Sequence, residues 1–178
     1  MTPIQRVAAM NVAFGNPKGD YSNIDLNRVR RQTMNVFDES LETLKALGLD
    51  PAALEILRQT HANVVSINTF TQPVDLLQAR DGLCDIQVFA GGSQHFMGVD
   101  GDADMHAVLD GVFTRFVKDQ KDLAQTVAKH ANKGVTEVYF EGEFPTMVMK
   151  SAADQPDAPK GKFLKSASYR EPVFPEVK

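Results

Sequence analysis

Long stretches of this chain repeat apolar residues at intervals of three and four, and glycine, proline or a capping acid stands at most of the breaks between them. That period belongs to a helix with one buried side, so the chain is constrained to pack helix against helix. Residues 3–14 are the first such stretch, with Ile4, Val7, Ala8, Val12 and Phe14, and Gly15-Asn16-Pro17-Lys18-Gly19 ends it. Asn23 or Asp25 caps a second helix over residues 24–47, where Leu26, Val29, Phe37, Leu41 and Leu44 keep the period as far as Gly48. Asp50-Pro51 starts a third helix that runs to residue 61. Asp75 to Phe96 is the fourth, with Gly98 and Gly101 at its exit. Asp102 or Asp104 opens a fifth, which continues unbroken through VFTRFVKDQKDL to Asn132-Lys133-Gly134.

The remainder has a different texture. Residues 62–72 are β-branched and read as extended. TEVYFEG alternates and EFPTMVMKS follows after a short turn, which predicts a small hairpin. From Ala152 the chain is rich in Pro, Asp and Lys and reads as a loop or an arm that wraps a partner. The expected fold class is all-α: a helical bundle over 1–134, with a C-terminal hairpin and extended tail over 135–178 in the same domain. At 178 residues the chain is long enough to bury a core without staples.

A net charge of −4 argues against a partner recognised through a basic surface, nucleic acid above all. The single cysteine, Cys84, excludes an internal disulfide. No uncharged apolar run is long enough to span a bilayer, and the first residues lack a signal-peptide pattern. A soluble, cytoplasmic protein with no membrane partner is the expectation. His61, His95, His106 and His130 show no paired metal spacing and read as structural.

Chemistry enters through four acids. Glu39 and Glu42 on the second helix are three apart, and Asp81 and Asp85 on the fourth are four apart, so each pair shares one side of its helix. On a wheel of about 100° per residue, Asp85 falls about 40° from Asp81, with Leu77, Cys84, Val88 and Phe89 around them. Both aspartates therefore lie inside an apolar arc, where unpaired burial would cost several kcal/mol. Glu39 has uncharged wheel neighbours, Asn35 among them, which suggests a second contact face. Oxygen-only ligand sets of this kind suit Mg²⁺ or Mn²⁺.

With these motifs the chain resembles the all-α NTP pyrophosphohydrolase superfamily, the MazG-like group that includes phosphoribosyl-ATP pyrophosphohydrolase and the dimeric dUTPases. The EExxE motif of that family stands here as Asp38-Glu39-Ser40-Leu41-Glu42. Its ExxD motif stands as Asp81-Gly82-Leu83-Cys84-Asp85, with Gly82 where many members carry Glu. GVFTRFVKD resembles a segment that supplies a lysine near the phosphates, here Lys118, though Phe116 replaces the usual asparagine. GKFLKSASYREPVF resembles the tail of phage-encoded members and points to Lys162, Lys165, Ser166 and Tyr169.

The resemblance implies hydrolysis of a (deoxy)nucleoside triphosphate to the monophosphate and pyrophosphate. Glu39, Glu42 and Asp85 would hold Mg²⁺ (or Mn²⁺), with Asp81 completing the set or orienting a water. Asp38 would take the proton, and Lys118 and Lys165 would screen the leaving pyrophosphate. Phe14, Asn16 and Asn35 are the candidates for the base pocket, with dGTP or GTP as the base choice suggested by phage members. It also implies a homo-oligomer, dimer or tetramer, acting in the host cytoplasm if phage-encoded. Two alternatives stand beside it: a non-catalytic helical adaptor or inhibitor, and phosphoribosyl-ATP hydrolysis, which Gly82 and the 135–178 extension disfavour.

Overall fold

The computed structural model describes residues 1–66 and 70–176. Six helices and a three-stranded antiparallel sheet are found among them. The chain divides into two compact units: residues 19–81, and residues 1–18 together with 82–178.

The smaller unit is a helical hairpin. α1 (Pro3–Ala13) belongs to the other unit; α2 (Leu26–Ala46) and α3 (Pro51–Ser66) form this one. The Asp25 carboxylate accepts from the Arg28 N–H at 3.0 Å and opens α2. Gly48, at φ +87°, takes the left-handed conformation that ends it. Asp50 then accepts from the Ala52 and Ala53 N–H groups, with Pro51 in the first turn. So short a connection forces the helices to run antiparallel, and Leu41 and Leu54 are buried near the turn.

The larger unit joins helices to the sheet. α4 (Leu76–Met97) crosses the boundary between the units, capped by Asp75, whose carboxylate accepts from Gln78 N–H. α5 (Gly101–Phe113) is capped by Asp100, and Arg6 of α1 reaches it at His106 and Asp110. α6 (Gln120–Ala131) is capped by Asp119. β1 (Val138–Glu141), β2 (Val148–Ser151) and β3 (Phe163–Leu164) follow in that spatial order. Met149 sits opposite Phe140 on one side and Leu164 on the other. Val117, Val135, Met149, Ala158 and Leu164 make the buried core. Phe14, Phe116 and Phe163 close it off, with ring centroids 4.6 Å (Phe14–Phe116) and 5.0 Å (Phe14–Phe163) apart.

Three expectations are corrected. The long fifth helix is two helices, α5 and α6, parted at residues 114–119. Phe116 and Val117 are adjacent and both buried, and Val117 N–H donates to Met147 O, which removes it from any helical ladder. The extended reading of 62–72 fails at its start, since α3 continues to Ser66; residues 67–69 lie outside the described residues. The tail is no free arm: it contributes β3, and residues 166–170 are hydrogen-bonded to α6 and Thr114. The predicted hairpin is present as β1 and β2. No helix among the described residues is long and apolar enough to cross a membrane.

Candidate functional site

Asp38, Glu39 and Glu42 are all exposed on α2. Glu42 Oε1 accepts from Arg58 Nη2 of α3 at 2.7 Å, and Lys45 Nζ lies 3.9 Å from its other oxygen. The side chains of Glu42 and Arg58 are 59% and 41% exposed, a setting in which an ion pair contributes only about 0.2–1 kcal/mol. Glu42 is therefore held loosely. Asp38 Oδ1 lies 3.0 Å from His61 Nδ1, so the N–H on that nitrogen donates to the carboxylate. Glu39 makes no ion pair among the described residues.

Beyond Asp38, α2 and α3 leave a groove of about 430 Å³ between them. On α2 it is lined by Asn27, Arg30, Arg31, Met34, Asn35 and Asp38, a stripe at the three- and four-residue spacing of one helix side. His61, Val64 and Val65 face them from α3, and Phe70 completes the lining. The Arg30 guanidinium lies 4.7 Å from the Phe70 ring centroid.

Asp81 and Asp85 lie one turn apart on α4, as the spacing predicts, yet neither is buried. The apolar arc around them is open in this chain: Leu77 is 73%, Val88 67% and Phe89 74% exposed. A helical wheel reports which side chains share a side, and it cannot report whether anything covers that side. Neither aspartate has an ion pair among the described residues. Among those residues no three acids, histidines or cysteines are placed to hold a metal ion within the single chain.

The larger unit buries a different acid. Asp122 is 2% exposed, and its two oxygens accept from Lys118 N–H, Ser168 N–H and the Ser168 hydroxyl at 3.0–3.2 Å. Lys118 thus enters this site through its backbone, while its residue is exposed to solvent. Ser166 is fully buried, with its hydroxyl donating to Thr114 O and its carbonyl accepting from Lys129 Nζ. Burial lowers the Lys129 pKa, and the Lys133 and Lys165 charges lower it further. Lys165 Nζ sits 4.0 Å from the Tyr169 ring centroid, with the Arg115 guanidinium 5.6 Å from that centroid. The Arg115 Nε is shielded from solvent without a hydrogen-bond acceptor. Glu171 is the carboxylate of this cluster, accepting from the Tyr169 hydroxyl at 2.6 Å and lying 3.6 Å from Lys165 Nζ. The Tyr169 hydrogen bond, then the Lys165 charge, hold its carboxyl below the ordinary range.

The structure therefore gathers Lys165 and Tyr169, and sets Asn35 and Asp38 along one groove. Lys162 donates to Asp157 O, Phe14 packs in the aromatic cluster, and Asn16 N–H donates to Asn11 O at the end of α1. Arg30, Arg31, Arg115 and Asp122 were not singled out from the sequence, and His61 reads there as structural. The helical stripe from Asn27 to Asp38 was a readable signal for the first two. Asp119-x-x-Asp122 was a readable cap, but its role as a buried hub depends on Ser168, 46 residues away. No protein-family model matches this chain, and neither do the curated proteins or solved structures compared with it.

Proposed function

We propose that this protein is a metal-dependent nucleoside triphosphate pyrophosphohydrolase with a MazG-like helical bundle, acting on (deoxy)nucleoside triphosphates such as dGTP or GTP. One observation carries the reading. Glu39, Asp81 and Asp85 stand on two helices at one-turn positions, exposed and without a cationic partner among the described residues. With Glu42, which a weak surface pair can release, they would supply oxygen-only donors of the hardness that Mg²⁺ or Mn²⁺ takes. A bound ion of this kind neutralises phosphate charge and acidifies a water. Asp38, whose carboxylate is oriented by His61, would be the group that holds a proton as general base. Lys118 and Lys165 would supply point charges for the pyrophosphate, with the Lys165 ammonium over the Tyr169 ring, and Lys162 is the third lysine of this reading. Of the three base-side candidates, Asn35 lines the groove between α2 and α3, while Phe14 and Asn16 belong to the other unit.

The reading includes a homo-oligomer. Phe89 and Phe96, at 74% and 90% exposure, are large apolar side chains that a solitary helix does not leave in water. The same exposure favours one second reading, a non-catalytic adaptor that uses α4 to hold a partner.

Incubation with each nucleoside triphosphate and Mg²⁺, followed by separation of products, decides between them. Monophosphate plus pyrophosphate, abolished in Glu39→Gln, is the expected result. Orthophosphate release would mean a different phosphohydrolase. No turnover, with melting unchanged by Mg²⁺ or Mn²⁺, overturns the enzyme reading in favour of the adaptor.

A further inference from the structure

The groove between α2 and α3 joins three kinds of surface. Arg30 and Arg31 stand side by side at one end of its α2 wall, and neither has a carboxylate partner among the described residues. Met34, Val64 and Val65 give an apolar middle. Phe70, 45% exposed, presents a ring already flanked by the Arg30 guanidinium. The one acid in the lining, Asp38, contacts His61, 3.0 Å from its Nδ1, rather than either arginine. His61 is itself nine-tenths buried at its side chain, and its Nε2 is shielded with no hydrogen-bond partner. The ring is thus locked by its Asp38 contact and by Phe37, 5.2 Å away between centroids.

We infer that this groove binds a nucleoside monophosphate unit: a planar base laid on Phe70 and Met34, and an anionic phosphate held by Arg31 with Arg30. A flat ring fits because aromatic and guanidinium faces stack on any heteroaromatic base. A phosphate fits because a guanidinium without an ion partner offers paired N–H donors to its oxygens. The amides of Asn27 and Asn35, eight residues apart on the same stripe, are the groups able to read base edges. The volume is within the range of small-ligand pockets. The inference deepens the pyrophosphohydrolase reading by giving the nucleoside end of the substrate a place, and it requires no metal.

The test is calorimetric titration of the full chain with GMP in excess EDTA, with guanosine and inorganic phosphate titrated separately. GMP is expected to bind at least tenfold more tightly than either fragment. Arg31→Gln and Phe70→Leu, both substitutions of exposed side chains, are each expected to weaken GMP about tenfold without lowering the melting temperature. Lys133→Gln, an exposed charge outside the groove, is expected to change nothing. Undiminished GMP binding in both groove variants overturns the inference, as does absence of GMP binding. If the variants change only the oligomeric state, the groove is a contact between copies and the inference also falls. Turnover in Mg²⁺ with a KM unaffected by Arg31→Gln would sink this inference and leave the enzyme reading standing. Groove binding of GMP with no turnover would do the reverse.

Discussion

Removing the Asp122 carboxylate takes the acceptor from the part-buried Lys118 and Ser168 N–H groups of the larger unit, while the Ser168 hydroxyl keeps Ser166 Oγ at 3.1 Å. An unsatisfied donor shielded from water costs about 1–3 kcal/mol, so Asp122→Ala is expected to destabilise the protein by about 1–3 kcal/mol in thermal or urea melts. Glu171 gives a residue-scale prediction of opposite exposure. Its pKa is depressed in the fold, so its contribution is present above the ordinary carboxyl value of 4.5 and is lost as pH falls below it. Acidification through that window is expected to release the Tyr169 contact, seen as a change in the Tyr169 ring resonances that Glu171→Gln abolishes. Single residues were only half legible in the sequence. The acids Glu39, Glu42, Asp81 and Asp85 stand on helices where the spacing put them. Which acid is buried was not legible, because Asp122 takes its partners from a tail segment that no local pattern connects to it.

At the level of elements, caps carried most of the information. Asp25, Asp50 and Asp75 open their helices within two residues of expectation, because an acid before an apolar period satisfies free N–H groups locally. The break between α5 and α6 escaped notice since it has neither glycine nor proline; burial of Phe116 and Val117 drives it, a tertiary demand. The tail strap is fixed in the same way. A Cβ at Gly111 of α5 would lie 3.1–3.2 Å from Pro172, so a side chain at position 111 would press the 170–174 strap outward by a few tenths of an ångström or more. Gly111→Val is expected to displace the strap and cost about 1–3 kcal/mol, raising proteolytic cleavage between Tyr169 and Phe174. Gly101→Ala, where the nearest atoms belong to the flexible end of Gln94, is expected to leave the strap in place.

For the whole molecule, the open apolar side of α4 sets the expectation. Phe89→Glu is expected to shift light-scattering mass toward the monomer while leaving helical content unchanged, whereas a wild-type monomer at micromolar concentration would count against self-association. The helical class was legible from periodicity alone; the division into two units was not, because it depends on which distant segments meet. That division has a consequence for synthesis. The first eighteen residues belong with residues that follow the helical hairpin, and Arg6 finds its partners 100 and 104 positions later. As the chain leaves the ribosome, the hairpin of α2 and α3 has every internal partner at hand and closes early. The helix α1 waits for about 100 further residues before α5 arrives to receive it.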